Sequence, residues 1–533
     1  MSDPPIEFNL WHMPWIRVLD HEGTLKMVSV ATCLREAHTL RSLYDPSPLV
    51  VVGTHRLLTA ITQAIYDPQS LTDLHHLITT GAFDGARLDA FAEQYQDRFD
   101  LFHPTQPFLQ SGDIPLDSWQ KPTKGTANQE WAEPKSIASI FVELPAATNR
   151  TLFHHVTDAD HMICPACCAR ALLTLPPFVS AGGRGNFPSI NGVPPIYVIP
   201  LGDTLFESLA LSLVIPEYQP PEASSTRKAV AAWNGSTIIP KNAVSSEVGY
   251  IESLLFPARR VRLFPKHAPQ HCTVCGEHTS TVTQQMVFEQ GYSLSKSFGG
   301  WSDPFVAFRQ PGGKAKENVA LSPIRPREGQ ALWREYTALF LQEDKTQKRP
   351  KVVQQLKRLM DDWPTIVSSD LRFRCVGVRT DGKAKFFEWF DEALEVPPEL
   401  LKDPDRVMSV QMALQRASEI AVVLSSVFTQ HIRPQRSGDA KQARLKLVRA
   451  RMEATYWQRL ALPFRESVFA FAVADDPMDV EEEWVDQVLG IAQQTFQEAV
   501  AQVGEHAEAL RERVQAEADC ARRLASKRKD WIG

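Results

Sequence analysis

Apolar and polar positions follow two different rhythms along this chain, and the change between them falls near residue 400. In the first part the rhythm is mixed. Phe8 to Val18 is aromatic and β-branched, Asp20-His21-Glu22-Gly23 has turn chemistry, and Thr24 to Val30 reads as a return strand, so the pattern predicts an N-terminal hairpin. Leu34 to Ala37 and Thr54 to Tyr66 are predicted helical, the second carrying Leu57, Leu58, Ile61 and Ile65 at helical spacing. Proline and glycine punctuate Pro104 to Pro220, which implies short elements joined by long loops.

After Glu395-Val396-Pro397-Pro398 glycine becomes scarce and helix formers dominate. From Trp484 onward, Val485, Leu489, Ala492, Phe496 and Val500 recur at steps that place one apolar stripe on a helix. Comparable helices are predicted near 405–431, 439–461 and 505–529, with Pro434, Pro463 and Pro477 lying between or near them. Four amphipathic helices, none able to bury its stripe alone, predict a four-helix bundle. The expected fold is therefore α+β, with a large mixed domain over 1–400 and a helical bundle over 401–533. No internal repeat or low-complexity segment interrupts it.

Composition narrows the class. A 533-residue chain with 43% hydrophobic and 23% charged residues can bury a large core and is not globally disordered. The formal charge of −6 gives no whole-molecule basic field, so any nucleic-acid contact must come from local Arg and Lys clusters. The opening Met1-Ser2-Asp3-Pro4-Pro5-Ile6-Glu7 has no secretory pattern. No apolar run approaches the roughly 18 residues that cross a bilayer; Leu49 to Val52 and Ile420 to Leu424 are core-sized patches. A cytoplasmic protein with no membrane contact is expected.

In a reducing compartment, clustered cysteines are metal candidates. Cys164-Pro165-Ala166-Cys167 and Cys272-Thr273-Val274-Cys275 each have the two-residue spacer that turns both thiolates toward one metal. Two such knuckles make a closed tetrahedral set for structural Zn2+, stapling segments 104 residues apart; two unrelated buried pairs are the alternative. Cys168 opens a helical run and is assigned to packing.

Other clusters carry weaker chemistry. His154, His155 and His161 precede the first knuckle, while His271 and His278 flank the second. A metal nuclease would use such histidines, but most histidines of this kind are surface or core residues with ordinary hydrogen bonds. No HExxH, Walker A or G-x-S-x-G motif accompanies them, so no enzyme is expected. Ser180-Ala181-Gly182-Gly183-Arg184-Gly185-Asn186 is either a backbone donor loop for phosphates and base edges or a solvated turn. Arg259, Arg260 and Arg262 alternate with Val261 and Leu263, Lys314 and Lys316 sit in a glycine-rich turn, and Arg444, Lys446, Arg449 and Arg451 populate one helix. Several such clusters in an acidic chain point toward phosphate binding.

The ordered set of segments resembles one family. Phe8-Asn9-Leu10 with Pro14-Trp15-Ile16 and Val18, Asn149-Arg150-Thr151-Leu152-Phe153-His154-His155 before Cys164, the two cysteine pairs, Arg259 to Pro265 and the helical tail are similar to the large subunit of the type I-E CRISPR Cascade complex, the CasA family. The resemblance implies an RNA-guided assembly in which base pairing with CRISPR RNA reads the target and protein reads a short flanking motif in double-stranded DNA. It implies that this subunit recognises the motif, helps open the duplex, stabilises the displaced strand beside the other Cascade subunits and recruits a separate helicase-nuclease. Phe153 and His155 would dock near the 5′ end of the RNA, and Ala181, Gly182, Gly183, Arg184 and Gly185 would approach the motif from the minor groove. The hairpin that carries a glutamine wedge in better-known members reads Arg379-Thr380-Asp381-Gly382-Lys383-Ala384 here. Lys383, flanked by Arg379, would hold a displaced phosphate, with Phe386, Phe387 and Trp389 anchoring the return strand. A minor-groove lysine of those members has its nearest equivalent near Gln290. A metal-dependent nuclease and a purely structural scaffold subunit are the competing classes.

Overall fold

The computed structural model describes residues 5–116, 133–144, 161–180, 187–311, 320–328, 330–366, 371–382, 386–432, 439–504 and 507–532. Phe153, His155, the Ala181–Gly185 stretch, Lys314, Lys316 and Lys383 lie outside the described residues. The fold is mixed α+β with a helical C-terminal region. Internal contacts divide the chain into two units, one built from Met1–Pro326, Arg349–Ser368 and Arg372–Ala393, the other from Arg327–Lys348, Ser369–Leu371 and Leu394–Gly533.

In the first unit Ile16–Asp20 runs between Leu25–Val28 and Leu40–Leu43 as the centre of a three-stranded antiparallel sheet. The turn is held by Asp20, whose carboxylate accepts from the Glu22 and Thr24 N–H groups, while Gly23 takes φ of 81°. The expected strand is shorter at its start. Phe8 to Trp15 folds into a turn instead, because Trp11 packs against Phe91 and Phe99 at 5.4 Å and the Trp15 indole donates to the Leu10 carbonyl. Its aromatic residues plug the core and do not line a sheet.

Helix Pro48–Tyr66 is longer than the expected Thr54–Tyr66 segment, and the helix before it covers Val30–Arg35. At 19 residues and a mean hydropathy of 1.2 it is long and apolar enough to cross a bilayer, a length the short apolar patch at Leu49–Val52 did not reveal. It is a core element here, buried along most of its length from Pro48 to Gln63. Gly53 makes the packing possible: a Cβ there would meet the Leu173 carbonyl oxygen at 2.3 Å, so only glycine admits helix Pro165–Phe178 this closely.

The longest strands, Arg259–His271 and His278–Gln290, form one antiparallel hairpin whose first pair is Arg259 with Gln290. Val261, Leu263, Val282, Met286 and Val287 bury its core portion. A second sheet places Leu371–Thr380 between Tyr197–Leu201 and Phe386–Val396.

In the second unit the tail forms helices Pro404–His431, Asp439–Val473, Pro477–Ala501 and Ala507–Ile532. Buried cross-links join them. The Trp484 indole donates to the Ala413 carbonyl and the Tyr456 hydroxyl to the Ala417 carbonyl, both at 2.9 Å. Pro463 does not end a helix, contrary to the expected stop near 461; the segment runs through it to Val473. An internal proline forfeits one backbone bond, but Leu460, Phe464, Val468 and Phe471 around it are all buried, and that packing keeps the helix continuous. Trp333 packs on Phe464 at 4.8 Å and on Trp457 at 5.7 Å, which ties Arg327–Lys348 to the tail helices.

Candidate metal centre and nucleic-acid residues

The two cysteine knuckles meet although 104 positions separate them. Met162 and Ile163 run alongside the long hairpin and carry the first knuckle to the second. The Ile163 N–H donates to the Thr283 carbonyl at 3.0 Å, the Thr283 N–H donates back at 2.8 Å, and the Thr273 N–H donates to the Met162 carbonyl at 2.8 Å. Cys164 then caps helix Pro165–Phe178, its sulfur accepting from the Cys167 N–H, with Pro165 at the first helical position. The second knuckle closes through Gly276, whose N–H donates to the Cys272 carbonyl and whose φ of 77° a side chain would resist.

All four sulfurs lie within 4.8 Å of one another. Cys164 Sγ to Cys275 Sγ and Cys167 Sγ to Cys272 Sγ are both 3.7 Å. A tetrahedron with metal–sulfur bonds of about 2.3 Å has edges of about 3.8 Å, so these separations fit a tetrathiolate metal centre. They are far beyond the ~2.05 Å of a disulfide. Among the described residues this is the one group of metal-ligating side chains so assembled. The donor set thus fits a structural ion, and four thiolates leave no open position for a substrate.

Without metal, the thiols must share protons. Hydrogen bonding with Cys164 and Cys167 holds Cys272 well below the usual thiol range, and that with Cys167 brings Cys275 down to about 6. Hydrogen bonding with the other three thiols, together with burial, drives Cys167 far upward. Cys168 stands apart, fully buried with its sulfur toward the Ile163 carbonyl, and belongs to the packing as expected.

One member of this centre is not legible in the motif. Arg170, only 4% exposed, donates from Nη2 to Cys167 Sγ at 2.9 Å and from Nη1 to the Trp15 carbonyl at 2.8 Å, with Asp45 at 3.6 Å on its far side. It offsets part of the negative charge that four thiolates concentrate. The available signal was an arginine three residues after a knuckle cysteine, inside the apolar run Ala169 to Leu173.

The histidines do not join the centre. His271 Nδ1 donates to the Gly276 carbonyl at 2.9 Å and the ring packs edge-on against His278, while His161 is buried beside the first knuckle. His154 and His155 lie outside the described residues.

The basic strand cluster is a correction. Arg259, Arg260 and Arg262 are 4%, 3% and 0% exposed and present no phosphate-binding surface. Arg260 is paired with Glu289 at 2.8 Å and Asp113 at 2.6 Å, and Arg262 donates to the His103 and Pro104 carbonyls. Both faces of this strand are covered from Arg259 to Phe264, so each charge is used inside the protein. Gln290 is likewise buried and offers nothing to a groove. Arg444, Lys446, Arg449 and Arg451 are exposed on helix Asp439–Val473.

At the Arg379 hairpin, Gly382 takes φ of 73° and its N–H donates to Thr380 Oγ1, as a tight turn requires. Arg379 is already paired with Glu388 at 2.5 Å and lies 4.5 Å from the Phe387 ring. Phe387 and Trp389 are 51% and 41% exposed, so they do not anchor the return strand by burial. Phe386–Val396 is an edge strand of its sheet, exposed or half-buried along its length until Val396.

The α+β chain thus has two units, a four-cysteine cluster and a long helical tail. The family described as CRISPR-associated protein Cse1 matches residues 9–495, and the chain belongs to that family. This is the CasA family that the N-terminal, cysteine and tail segments resemble. A curated relative, CRISPR-associated protein CasA/Cse1 of Thermus thermophilus, is 32% identical over 215 residues. That match spans 39% of this chain and 40% of the relative. The crystal structure of Cse1 from Acidimicrobium ferrooxidans superposes with a TM-score of 0.77 at 21% identity, covering all of both chains. A chain of a CRISPR RNA-guided surveillance complex superposes with a TM-score of 0.71 at 18% identity, covering 97% of this chain and all of its own.

Proposed function

We propose that this chain is the large subunit of an RNA-guided type I-E Cascade complex, working beside CRISPR RNA and the other Cascade subunits in the cytoplasm, without a membrane. The observation that carries this reading is the family match, which runs from residue 9 to residue 495 and so reaches into both units. In it the chain performs no reaction. It recognises a short motif flanking the target in double-stranded DNA, helps open the duplex, stabilises the displaced strand and recruits a helicase-nuclease that cuts.

The parts divide this work. Residues 1–400 carry the Cys164, Cys167, Cys272 and Cys275 site, which would hold Zn2+ as a staple. They also carry the candidate contacts Phe153 and His155 toward RNA, and Ala181 to Gly185, Lys314, Lys316, Arg379 and Lys383 toward DNA. Arg379 contributes through the hairpin it stiffens, since Glu388 balances its charge. Residues 401–533 form a four-helix bundle whose exposed Arg444, Lys446, Arg449 and Arg451 supply local positive charge in an acidic chain.

The test is reconstitution of the guide-loaded assembly with and without this chain. Only the complete assembly is expected to prefer duplexes carrying a flanking motif, with affinity falling steeply as salt rises because phosphate contacts release counterions. The purified chain is expected to leave DNA uncut with added divalent metal. An assembly that reads the motif equally well without this chain refutes recognition and leaves a scaffold. Metal-dependent cutting lost in His154→Ala or His155→Ala establishes the nuclease class instead.

A further inference from the structure

Ser180 and Phe187, which bound residues 181–186, are joined by a small buried machine on the long hairpin. One guanidinium reaches both. Arg259 Nη2 donates to the Ser180 carbonyl at 2.7 Å, and Nη1 donates to the Phe187 carbonyl at 2.7 Å. Gln290, the cross-strand partner of Arg259, accepts the Phe187 N–H on Oε1 at 2.7 Å and Arg259 Nη1 on the same oxygen at 3.0 Å. Its amide nitrogen donates to the Ala258 and Tyr292 carbonyls at 3.2 and 3.1 Å, which fixes the amide's orientation. Just outside this pair the Ser189 N–H donates to the Val179 carbonyl at 3.1 Å. Arg259 and Gln290 are 4% and 3% exposed.

Burying a cation is costly unless its hydrogen bonds are satisfied by the protein. Arg259 directs its charge at the Ser180 and Phe187 carbonyls, and burial brings its guanidinium down to about 10. The planar fork matters, because it spans two acceptors at once where an ammonium offers a single point. Arg262, on the same strand, makes the equivalent pair of bonds to a different loop, at His103 and Pro104. That repetition makes it an internal control.

We propose that Arg259 and Gln290 are positioning residues for duplex recognition: they fix the spacing and orientation of Ser180 and Phe187, and through them set which flanking sequences the complex accepts. The proposal rests on the reading that residues 181–186 approach DNA. Neither side chain touches the nucleic acid.

The experiment uses the complete guide-loaded assembly and a duplex pool with a constant guide-complementary sequence and a randomised flanking triplet, sequencing the bound fraction. Arg259→Lys and Gln290→Leu are expected to lower discrimination between accepted and rejected triplets by about tenfold, the scale of one mismatched base pair in protein–DNA recognition. Arg262→Lys, with its own loss of melting temperature recorded, is expected to keep wild-type discrimination. Equal loss in all three variants overturns the proposal, because it reports general weakening of the hairpin. Wild-type discrimination in Arg259→Lys and Gln290→Leu, with loss in Gly182→Val or Gly183→Val, also overturns it and leaves the reading of the loop intact. No loss in any of them refutes that reading, and the proposal with it. Should Arg259→Lys fail to assemble, Gln290→Leu carries the test, since it leaves the charge in place.

Discussion

At the residue scale the decisive positions are small in number and chemically distinct. Cys164→Ser or Cys275→Ser removes one of four thiolates from a centre whose metal can contribute on the order of 10 kcal/mol to folding. Either variant is expected to be poorly soluble, while Cys168→Ser, which touches only packing, is expected to fold; zinc content per chain by elemental analysis checks both. Arg170→Met leaves all four ligands and is expected to weaken metal retention by about 10–100-fold in chelator competition, the usual effect of losing a partner behind the ligands. Unchanged retention would reduce Arg170 to a packing role.

His55 makes the pH prediction. It is fully buried on helix Pro48–Tyr66, bonded to Ser212 at 3.1 Å, and burial, helped by the Arg56 charge, pushes it down to about 3. The native state therefore keeps it neutral, whereas the unfolded chain takes up a proton near pH 6.5. Between those values the unfolded state binds more protons, so this contribution to stability is lost as pH falls. Its size is about 1 kcal/mol between pH 7.5 and 5.5. Urea unfolding of His55→Gln is expected to show a shallower pH slope than wild type across that range. An unaltered slope would mean other groups set it.

At the scale of elements, buried charge is paired across helices and strands. Arg416 on helix Pro404–His431 is ion-paired with Glu481 on helix Pro477–Ala501, and both are buried. Removing one partner strands the other charge, so Glu481→Leu is expected to cost about 3–5 kcal/mol in denaturant unfolding. Arg416→Met with Glu481→Leu is expected to recover most of that loss, because two apolar side chains satisfy each other where one charge cannot. A double variant no more stable than the single would show that the pair also serves the fold's specificity. Arg260 on the long hairpin follows the same rule with Glu289 and Asp113, whereas its neighbours Arg259 and Arg262 are satisfied by backbone carbonyls.

At the scale of the whole molecule, the second unit draws on residues far from the tail. Leu332, Trp333, Tyr336 and Phe340 are buried, and Trp333 and Tyr336 pack on Phe464. A chain ending at residue 404 is expected to keep its four-cysteine cluster assembled but to self-associate through these uncovered side chains. Light scattering is expected to show this, and Trp333→Ser with Phe340→Ser to relieve it. A monomeric truncation without those changes would mean the segment finds other cover.

The sequence by itself determined the features that depend on neighbours along the chain. Helical spacing gave the four tail helices, the two-residue spacers gave the cysteine knuckles, and Asp381-Gly382 gave a tight turn, since each follows from local geometry and backbone sterics. The ordered segments carried the family resemblance for the same reason: they are short patterns in a fixed succession. Only the tertiary structure decided what depends on distant partners. It brought the knuckles together through Ile163 and Thr283, set Arg170 against Cys167, carried the helix through Pro463, and turned Arg259, Arg260 and Arg262 inward. A guanidinium in a sequence has the same charge wherever it stands; whether it faces phosphate or a buried carbonyl is fixed by the surfaces that close over it.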